Sequence, residues 1–174
     1  MAASSTYTPI ATTTLTSDAS SISFSSIPST YTDLVLVSNW YLSPNQGANL
    51  RFNDDTGTNY SVTNMSGTGS TTYSSRVSNN SFIYLSYNIG TSTNSSIFTP
   101  IIININNYSN NTTYKTMLSK LSNNDTGNGP GVETTVGLWR STSAITKISL
   151  LSIPNGGGTF KSGMTATLYG ITAA

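Results

Sequence analysis

Apolar and polar residues alternate along most of the chain, in short runs separated by turn-forming residues. In the segment 101–107 (IIININN), Ile101, Ile103 and Ile105 share one face of an extended chain. A period of two is typical of β-strands with one buried face, and the helical spacing of three to four residues is missing from the sequence. The pattern therefore predicts an all-β protein, with strands near 10–16, 21–24, 33–42, 48–53, 58–64, 72–77, 81–87, 97–106, 113–121, 132–140, 145–152 and 164–171.

Turn-forming residues fall between these runs. The polar tip 106–113 joins two apolar runs and predicts a hairpin, while NDDTG at 53–57 separates two further strands. Glycine-rich loops are expected at 123–131 and 154–158. Short strands at this spacing are typical of a single-domain antiparallel β-sandwich or barrel over residues 11–174. Residues 1–10, which carry few apolar side chains, are interpreted as an N-terminal arm that is loose or ordered against a neighbouring chain.

The composition is dominated by neutral hydrogen-bonding residues. Ser, Thr and Asn account for 78 of the 174 residues, and charged residues for 7%. Such a composition also suits a disordered linker. The ordered alternation, together with ten Tyr, five Phe and two Trp, favours a folded domain instead.

Two missing residue types exclude whole classes of chemistry. The chain contains no Cys and no His. It therefore has no disulfides, no thiol nucleophile and no Ser-His-Asp triad, and no cofactor or metal is expected. A formal charge of +1 argues against binding to duplex nucleic acid or to a membrane surface. Neither a secretory signal nor a membrane-spanning run is expected.

The few acidic residues support two weaker hypotheses. A glycosidase needs only two suitably spaced carboxylates, which would come from Asp18, Asp33, Asp54, Asp55, Asp125 and Glu133. The segments 53–57 and 123–127 also resemble oxygen-rich cation loops, although neither has the ligand spacing of an EF-hand. In both cases we favour ordinary turn chemistry, with the first loop read as an Asx-rich hairpin turn. No catalytic, cofactor-binding or metal-binding residue is therefore predicted.

Arginine and tyrosine side chains leave alternatives open. Arg51, Arg76 and Arg140 lie in or beside strands, where each would pair with an acidic turn residue, stack on a ring or lie at a subunit contact. Tyr side chains are spread over many strands, which favours packing at the rim of the core over a sugar-binding surface. The Tyr residues considered are Tyr31, Tyr60, Tyr84, Tyr87, Tyr108, Tyr114 and Tyr169.

Low charge also affects the edges of the predicted sheets. Natural edge strands are commonly protected by lysine or by inward-pointing charges, and this chain has four lysines. The edges must then be covered by loops, bulges or another subunit. We therefore expect an oligomer or a component docked on a larger assembly.

Four segments carry a resemblance to a known family. These segments are 24–37 (FSSIPSTYTDLVLV), 50–61 (LRFNDDTGTNYS), 139–148 (WRSTSAITKI) and 168–171 (LYGI). In this order and spacing, over about residues 11–171, the chain resembles small virion proteins of tailed bacteriophages, notably phages of cyanobacteria. The resemblance implies a jelly-roll-like β-sandwich without catalytic residues.

The expected function is structural. The resemblance implies a capsid decoration or cement protein on the outer surface of the virion, with the major capsid protein and its own copies, as a homotrimer, as partners. The alternative is a tail or fibre module that binds a host receptor or glycan through the loops 43–49, 106–113 and 122–131.

Overall fold

The protein is built of β-strands joined by turns and loops. The computed structural model describes residues 6–43, 47–87, 89, 97–123, 131–153 and 158–172, and in this part of the chain there is no helix that could cross a membrane. The strands are β1 (Tyr7–Thr14), β2 (Ser21–Phe24), β3 (Asp33–Trp40), β4 (Leu42–Ser43), β5 (Ala48–Phe52), β6 (Tyr60–Gly67), β7 (Thr72–Asn80), β8 (Ile83–Tyr84), β9 (Thr99–Asn106), β10 (Lys115–Asn123), β11 (Gly131–Trp139), β12 (Ile148–Ser152), β13 (Thr159–Phe160) and β14 (Thr165–Ile171).

These strands form two antiparallel sheets that pack face to face. The large sheet has eight strands in the order β1-β14-β3-β9-β10-β11-β6-β7, and the small sheet has four in the order β2-β12-β5-β8. The short strands β4 and β13 pair with each other beside them. The predicted all-β, antiparallel sandwich is therefore confirmed.

The strand order is that of a jelly roll. The strands β9, β10 and β11 form a meander, which can be counted as one strand. When the two-residue β4 is left out, eight strands remain from β2 to β12. In the small sheet they lie in the order first, eighth, third, sixth. In the large sheet they lie in the order second, seventh, fourth, fifth, which is the double Greek key of this fold. The pair β1 and β14 extends the large sheet next to β3.

The core lies between the sheets because alternate residues of each strand point inward. On β10, for example, every second residue from Lys115 to Asn123 is buried and the others are exposed. The largest inward side chains are aromatic and fill the space between the sheets, with Phe52 lying 5.6 Å from Trp139 and 6.5 Å from Tyr60 between ring centroids. Trp40 lies 6.3 Å from Phe160 in a second such contact.

The twelve predicted strands each overlap an observed strand, and the differences lie in their ends and connections. The hairpin between β9 and β10 is confirmed. The segment 53–57 is not a hairpin turn, because β5 belongs to the small sheet and β6 to the large one, so the chain crosses between sheets there. The strand β13 escaped prediction, and β4 was not separated from the predicted strand 33–42, because two residues are too few to show an alternation of their own.

The described part of the N-terminal segment belongs to the large sheet from Tyr7 onward. Residues 1–5 lie outside the described residues, and Tyr7–Thr14 pair with β14 at the edge of that sheet. The strand begins earlier than the predicted residue 10. This edge carries Pro9 and a register shift between Pro9 and Ala11, both of which hinder pairing with a further strand. Whether the segment reaches a neighbouring chain stays a prediction.

Candidate functional site

The outward surface of the large sheet is apolar across its centre. We call this surface the outer face, meaning the outward-pointing side chains of β3, β9, β10, β11 and β6. Met65 is 67% exposed, Val132 61% and Val136 50%. The large apolar side chains exposed on this face are Val37, Met65, Ile102, Leu118, Val132 and Val136.

The strand register joins these side chains into one patch. Val37 lies opposite Ile102, and Leu118 lies opposite Val136. Lys120 lies between Ile102 and Thr134 in the cross-strand row. Because neighbouring strands are about 4.8 Å apart, side chains in such rows contact one another. The apolar residues therefore lie in cross-strand pairs around Lys120 and Thr134 rather than at isolated exposed positions.

Shallow grooves run over the same face. One of about 330 Å³ is lined by Pro100, Ile102, Lys120 and Val132, among others. A second, of about 430 Å³, lies between Asn104 and Val136. Two more, of about 370 and 170 Å³, border Val132 and Val136 respectively. A surface with such grooves between aliphatic side chains can accept the protruding side chains of a protein partner.

The outer surface of the small sheet has a different character. Its outward residues include Ser21, Ser23, Arg51 and Ser149. The hydroxyls of Ser23 and Ser149 lie 3.0 Å apart in a hydrogen bond. Leu151 and Tyr84 also point outward from this sheet, but no large apolar side chain is exposed on its described strands, whereas six are exposed on the outer face. Soluble monomers rarely expose a large continuous apolar patch, so the outer face is the candidate interaction surface.

The described acidic residues are bound to donors of the chain itself. Asp18 pairs with Lys161 at 2.6 Å, and Asp54 with Lys147 at 2.7 Å. Asp33 accepts a hydrogen bond from the backbone N–H of Asn107. Asp125 lies outside the described residues. Of the described acidic residues, only Glu133 lines one of the described grooves. The structure therefore brings no two described carboxylates together in such a groove, as a glycosidase would require.

Glu133 holds a loop in place. Its side chain points inward from β11 and is buried. It accepts hydrogen bonds from Asn64 Nδ2 at 3.0 Å and from the backbone N–H groups of Tyr87 and Ile89 at 2.8 and 2.9 Å. Buried carboxylates need such donors. This carboxylate therefore anchors the chain that follows β8 against the large sheet.

Asp55 has a similar role in the crossing between the sheets. Its carboxylate accepts hydrogen bonds from Trp139 Nε1 at 2.7 Å, Gly57 N at 2.8 Å and Asn59 Nδ2 at 2.9 Å. Partial burial raises the pKa of Asp55, but these three donors outweigh it, so its pKa lies below the usual 3.8. The carboxylate is therefore a structural acceptor that ties the crossing loop to β11.

The donors around 53–57 also argue against a cation loop. Asn53 Oδ1 accepts from the backbone N–H groups of Thr146 and Lys147, and Asp54 faces the Lys147 ammonium. A cation needs these oxygen atoms free of such donors. No group of three acidic side chains that could hold a metal ion is found in the part of the chain that the structure describes. The second suggested loop, 123–127, lies outside the described residues except for Asn123.

The Asp55→Asn variant is expected to be less stable by about 1–2 kcal/mol at neutral pH, because an amide turns a donor toward groups that themselves donate. The folded-state pKa of Asp55 is lowered, so its stabilisation is present above the unfolded value of 3.8 and disappears as the pH falls through the folded value. The difference in free energy of unfolding between wild type and Asp55→Asn should therefore become smaller in acid. Urea denaturation at a series of acidic pH values measures this difference.

Asp54→Asn is the matched control, because the neighbouring carboxylate is 61% exposed and makes a surface ion pair with Lys147. Loss of this ion pair should lower the free energy of unfolding by at most about 1 kcal/mol. Equal effects of the two variants at every pH would contradict the structural role of Asp55.

The arginines divide between local bonding and the surface. Arg140 donates to Ser61 Oγ at 2.5 Å, Thr58 O at 2.7 Å and Asn79 Oδ1 at 2.9 Å, and therefore bridges β11 to neighbouring β6 and β7. Arg51 donates to Ser81 O. These contacts are with oxygen atoms of neutral groups rather than with carboxylates. Arg76 is exposed on β7 and lies in the row of Thr63 and Val136, beside the outer face.

The tyrosines do not converge on one surface. Tyr60 and Tyr108 are buried, and burial raises the pKa of both hydroxyls. Tyr84 and Tyr87 lie together with ring centroids 5.0 Å apart, while Tyr169 contacts Tyr7 at 6.2 Å near the far edge of the large sheet. Of the three loops proposed to form a binding cup, 43–49 lies partly and 122–131 largely outside the described residues.

Lys115 is a buried cation that the sequence pattern did not reveal. It occupies an inward position at the start of β10, and its Nζ donates to Thr113 O at 2.7 Å and Thr142 O at 3.1 Å. Burial lowers the pKa of this ammonium group. Since these partners are backbone carbonyls, Lys115 ties together the two loops at this end of the sandwich.

No protein-family model matches the chain, and a search of the curated proteins returned no significant match.

Proposed function

We propose that this chain is a structural protein of a bacteriophage virion, a capsid decoration or cement protein that bridges neighbouring capsomers of the major capsid protein. In this proposal it acts as a homotrimer on the outer capsid surface and catalyses no reaction. The sequence resemblance supports the virion assignment. The observation that supports docking is the outer face, which exposes six large apolar side chains, whereas no large apolar side chain is exposed on the described strands of the small sheet.

The proposed mechanism is mechanical. A capsid under internal pressure fails where capsomers separate, and a protein bound across the seam opposes that separation. About 800 Å² buried per partner suffices for specific binding. Three copies around a local threefold position bind together, so the avidity exceeds the affinity of one copy.

Counting the chain in purified virions tests the proposal. Quantitative mass spectrometry against the major capsid protein should find hundreds of copies per particle. Virions produced without the chain should release their DNA at a lower temperature, and adding the purified protein back should restore the release temperature. Absence from purified virions, or a copy number in the tens or below with unchanged DNA release, would contradict a shell role.

One feature favours the alternative, a tail or fibre module that binds a glycan. Phe82, Tyr84 and Tyr87 follow one another beside the small sheet, with ring centroids 4.9 and 5.0 Å apart, and Tyr87 is 48% exposed. Sugars stack on exposed aromatic faces. These rings meet edge to face, at 89° and 71°, so they present edges to one another and no common flat platform.

A glycan array separates the two functions. The shell proposal expects no binding of wild-type protein to host surface glycans. A glycan that binds wild type and Tyr114→Ala, but not Tyr87→Ala, would favour the alternative. Tyr114 is the matched control because it is similarly exposed, at 55%, on a different strand connection.

A further inference from the structure

We propose that the outer face binds an acidic surface of a different protein, with Lys120 as the central contact to a partner carboxylate. This inference rests on the proposed function and specifies the partner of that surface. Its starting point is the position of Lys120, which lies in the middle of β10 with its side chain exposed on the outer face.

Apolar side chains surround Lys120. Ile102 lies directly opposite on β9, and Leu118 precedes it on the same face of β10. Thr134 lies opposite on β11, so its neighbours Val132 and Val136 are diagonal to Lys120. A partner that covers these aliphatic side chains also removes water from the ammonium group. A desolvated charge is costly unless it is paired, so a binding partner must supply an acceptor, and a carboxylate is the strongest.

The acceptor does not come from the described part of this chain. The two ion pairs found there are Lys147–Asp54 and Lys161–Asp18, and neither involves Lys120. The outer face also borders Arg76. The single acidic residue among the described positions of this face is Asp33 at the start of β3, whose Oδ1 accepts from Asn107 N. The described face and its border together thus carry two cations and one carboxylate, and this charge complements an acidic partner.

A second copy of the same face is a poorer match. Two outer faces brought together contribute four cations against two carboxylates, both of which already accept a hydrogen bond. Other described carboxylates are bound to Lys161, Lys147 and Trp139 or buried within the core. Nucleic acid is also a poor match, because two cations neutralise few phosphates. The exposed large apolar residues of the outer face are aliphatic rather than aromatic, which favours a protein over a glycan.

Zero-length cross-linking of purified virions identifies the contact directly. Carbodiimide joins a lysine to a carboxylate only where the two groups touch. Mass spectrometry should find Lys120 linked to an aspartate or glutamate of another virion protein. A link from Lys120 to Asp33 of a second copy would overturn the inference in favour of self-association through this face.

Binding to virions produced without the chain supplies the quantitative test. Lys120→Glu should weaken binding at least tenfold relative to wild type, because it places a carboxylate against a carboxylate. Lys161→Glu is the matched control, since it makes the same charge change at an exposed ion pair on a different part of the sandwich, and it should bind like wild type. Unchanged thermal melting of Lys120→Glu shows that the variant folds.

The outcomes separate the inference from the function on which it rests. If wild type binds and Lys120→Glu binds equally well, the inference is wrong and the shell role stands. If Lys120→Glu and Lys161→Glu lose affinity equally, the effect is one of net charge, and Lys120 is not the central contact. If wild type itself does not bind, the shell role fails and the inference fails with it.

Discussion

Replacing Trp139 with alanine is expected to lower the free energy of unfolding by about 3–5 kcal/mol. The Trp139 side chain is 2% exposed and stacks on Tyr60 at 6.3 Å between ring centroids, while Phe52 lies 5.6 Å away. Alanine leaves a cavity among these rings. It also removes the Nε1 donor, at 2.7 Å, that holds the Asp55 carboxylate of the crossing loop.

Urea denaturation followed by circular dichroism measures this loss. A domain of this kind is stable by about 5–15 kcal/mol, so the variant should unfold at a much lower urea concentration. Tyr114→Ala removes an aromatic ring that is 55% exposed and should change stability by less than about 0.5 kcal/mol. Similar midpoints for the two variants would show that the three rings do not hold the sheets together.

Trp139→Phe distinguishes the two contributions of the indole. Phenylalanine keeps a ring in the core but cannot donate to Asp55, so its effect should fall between wild type and Trp139→Ala. The difference in free energy of unfolding between wild type and Trp139→Phe includes the lost hydrogen bond to a charged acceptor, about 1.5–3 kcal/mol.

The sequence predicted the strands well because their alternation is local. In β9, Ile101, Ile103 and Ile105 are all buried, as their spacing indicates. The pairing of strands was harder to predict, since nothing in the local pattern shows that β5 and β6 belong to different sheets. The bond from Trp139 to Asp55 joins residues 84 positions apart, and it depends on that sheet assignment.

The outer face was missed because several strands are apolar on both sides. In β11, Gly137 and Trp139 point into the core, whereas Val136 is half exposed. Hydrophobicity alone would bury Val136 in place of Gly137. Similarly, Ser119 is buried on β10 while Leu118 lies outside. Apolar residues on both faces of the adjacent strands β9, β10 and β11 are the signal that would have indicated a second contact surface.

Gly137 points into the core at a position that has no room for a side chain. A Cβ atom built there would lie 2.5 Å from Ile83 Cδ1, 2.9 Å from Cγ2 and 3.0 Å from Cγ1. Ile83 is fully buried on β8 of the small sheet. The close approach of the two sheets therefore depends on the missing side chain, and an added methyl group must push them apart or displace Ile83.

Gly137→Ala is accordingly expected to destabilise the protein by about 2–3 kcal/mol, as overpacked cores do. Gly67→Ala is the matched control, because Gly67 ends β6 in the same sheet and a Cβ there meets nothing within 4 Å. That variant should be neutral, or more stable by up to about 1 kcal/mol because the unfolded chain loses freedom.

Combining Gly137→Ala with Ile83→Val tests the cause of the destabilisation, since valine lacks the Cδ1 atom that the new methyl group meets first. If the clash is responsible, the double variant should be more stable than the sum of the two single changes requires, by about 0.5–3 kcal/mol. Strict additivity of the two changes would mean that Ile83 does not limit the space, and that Gly137 is needed for its backbone rather than for the approach of the sheets.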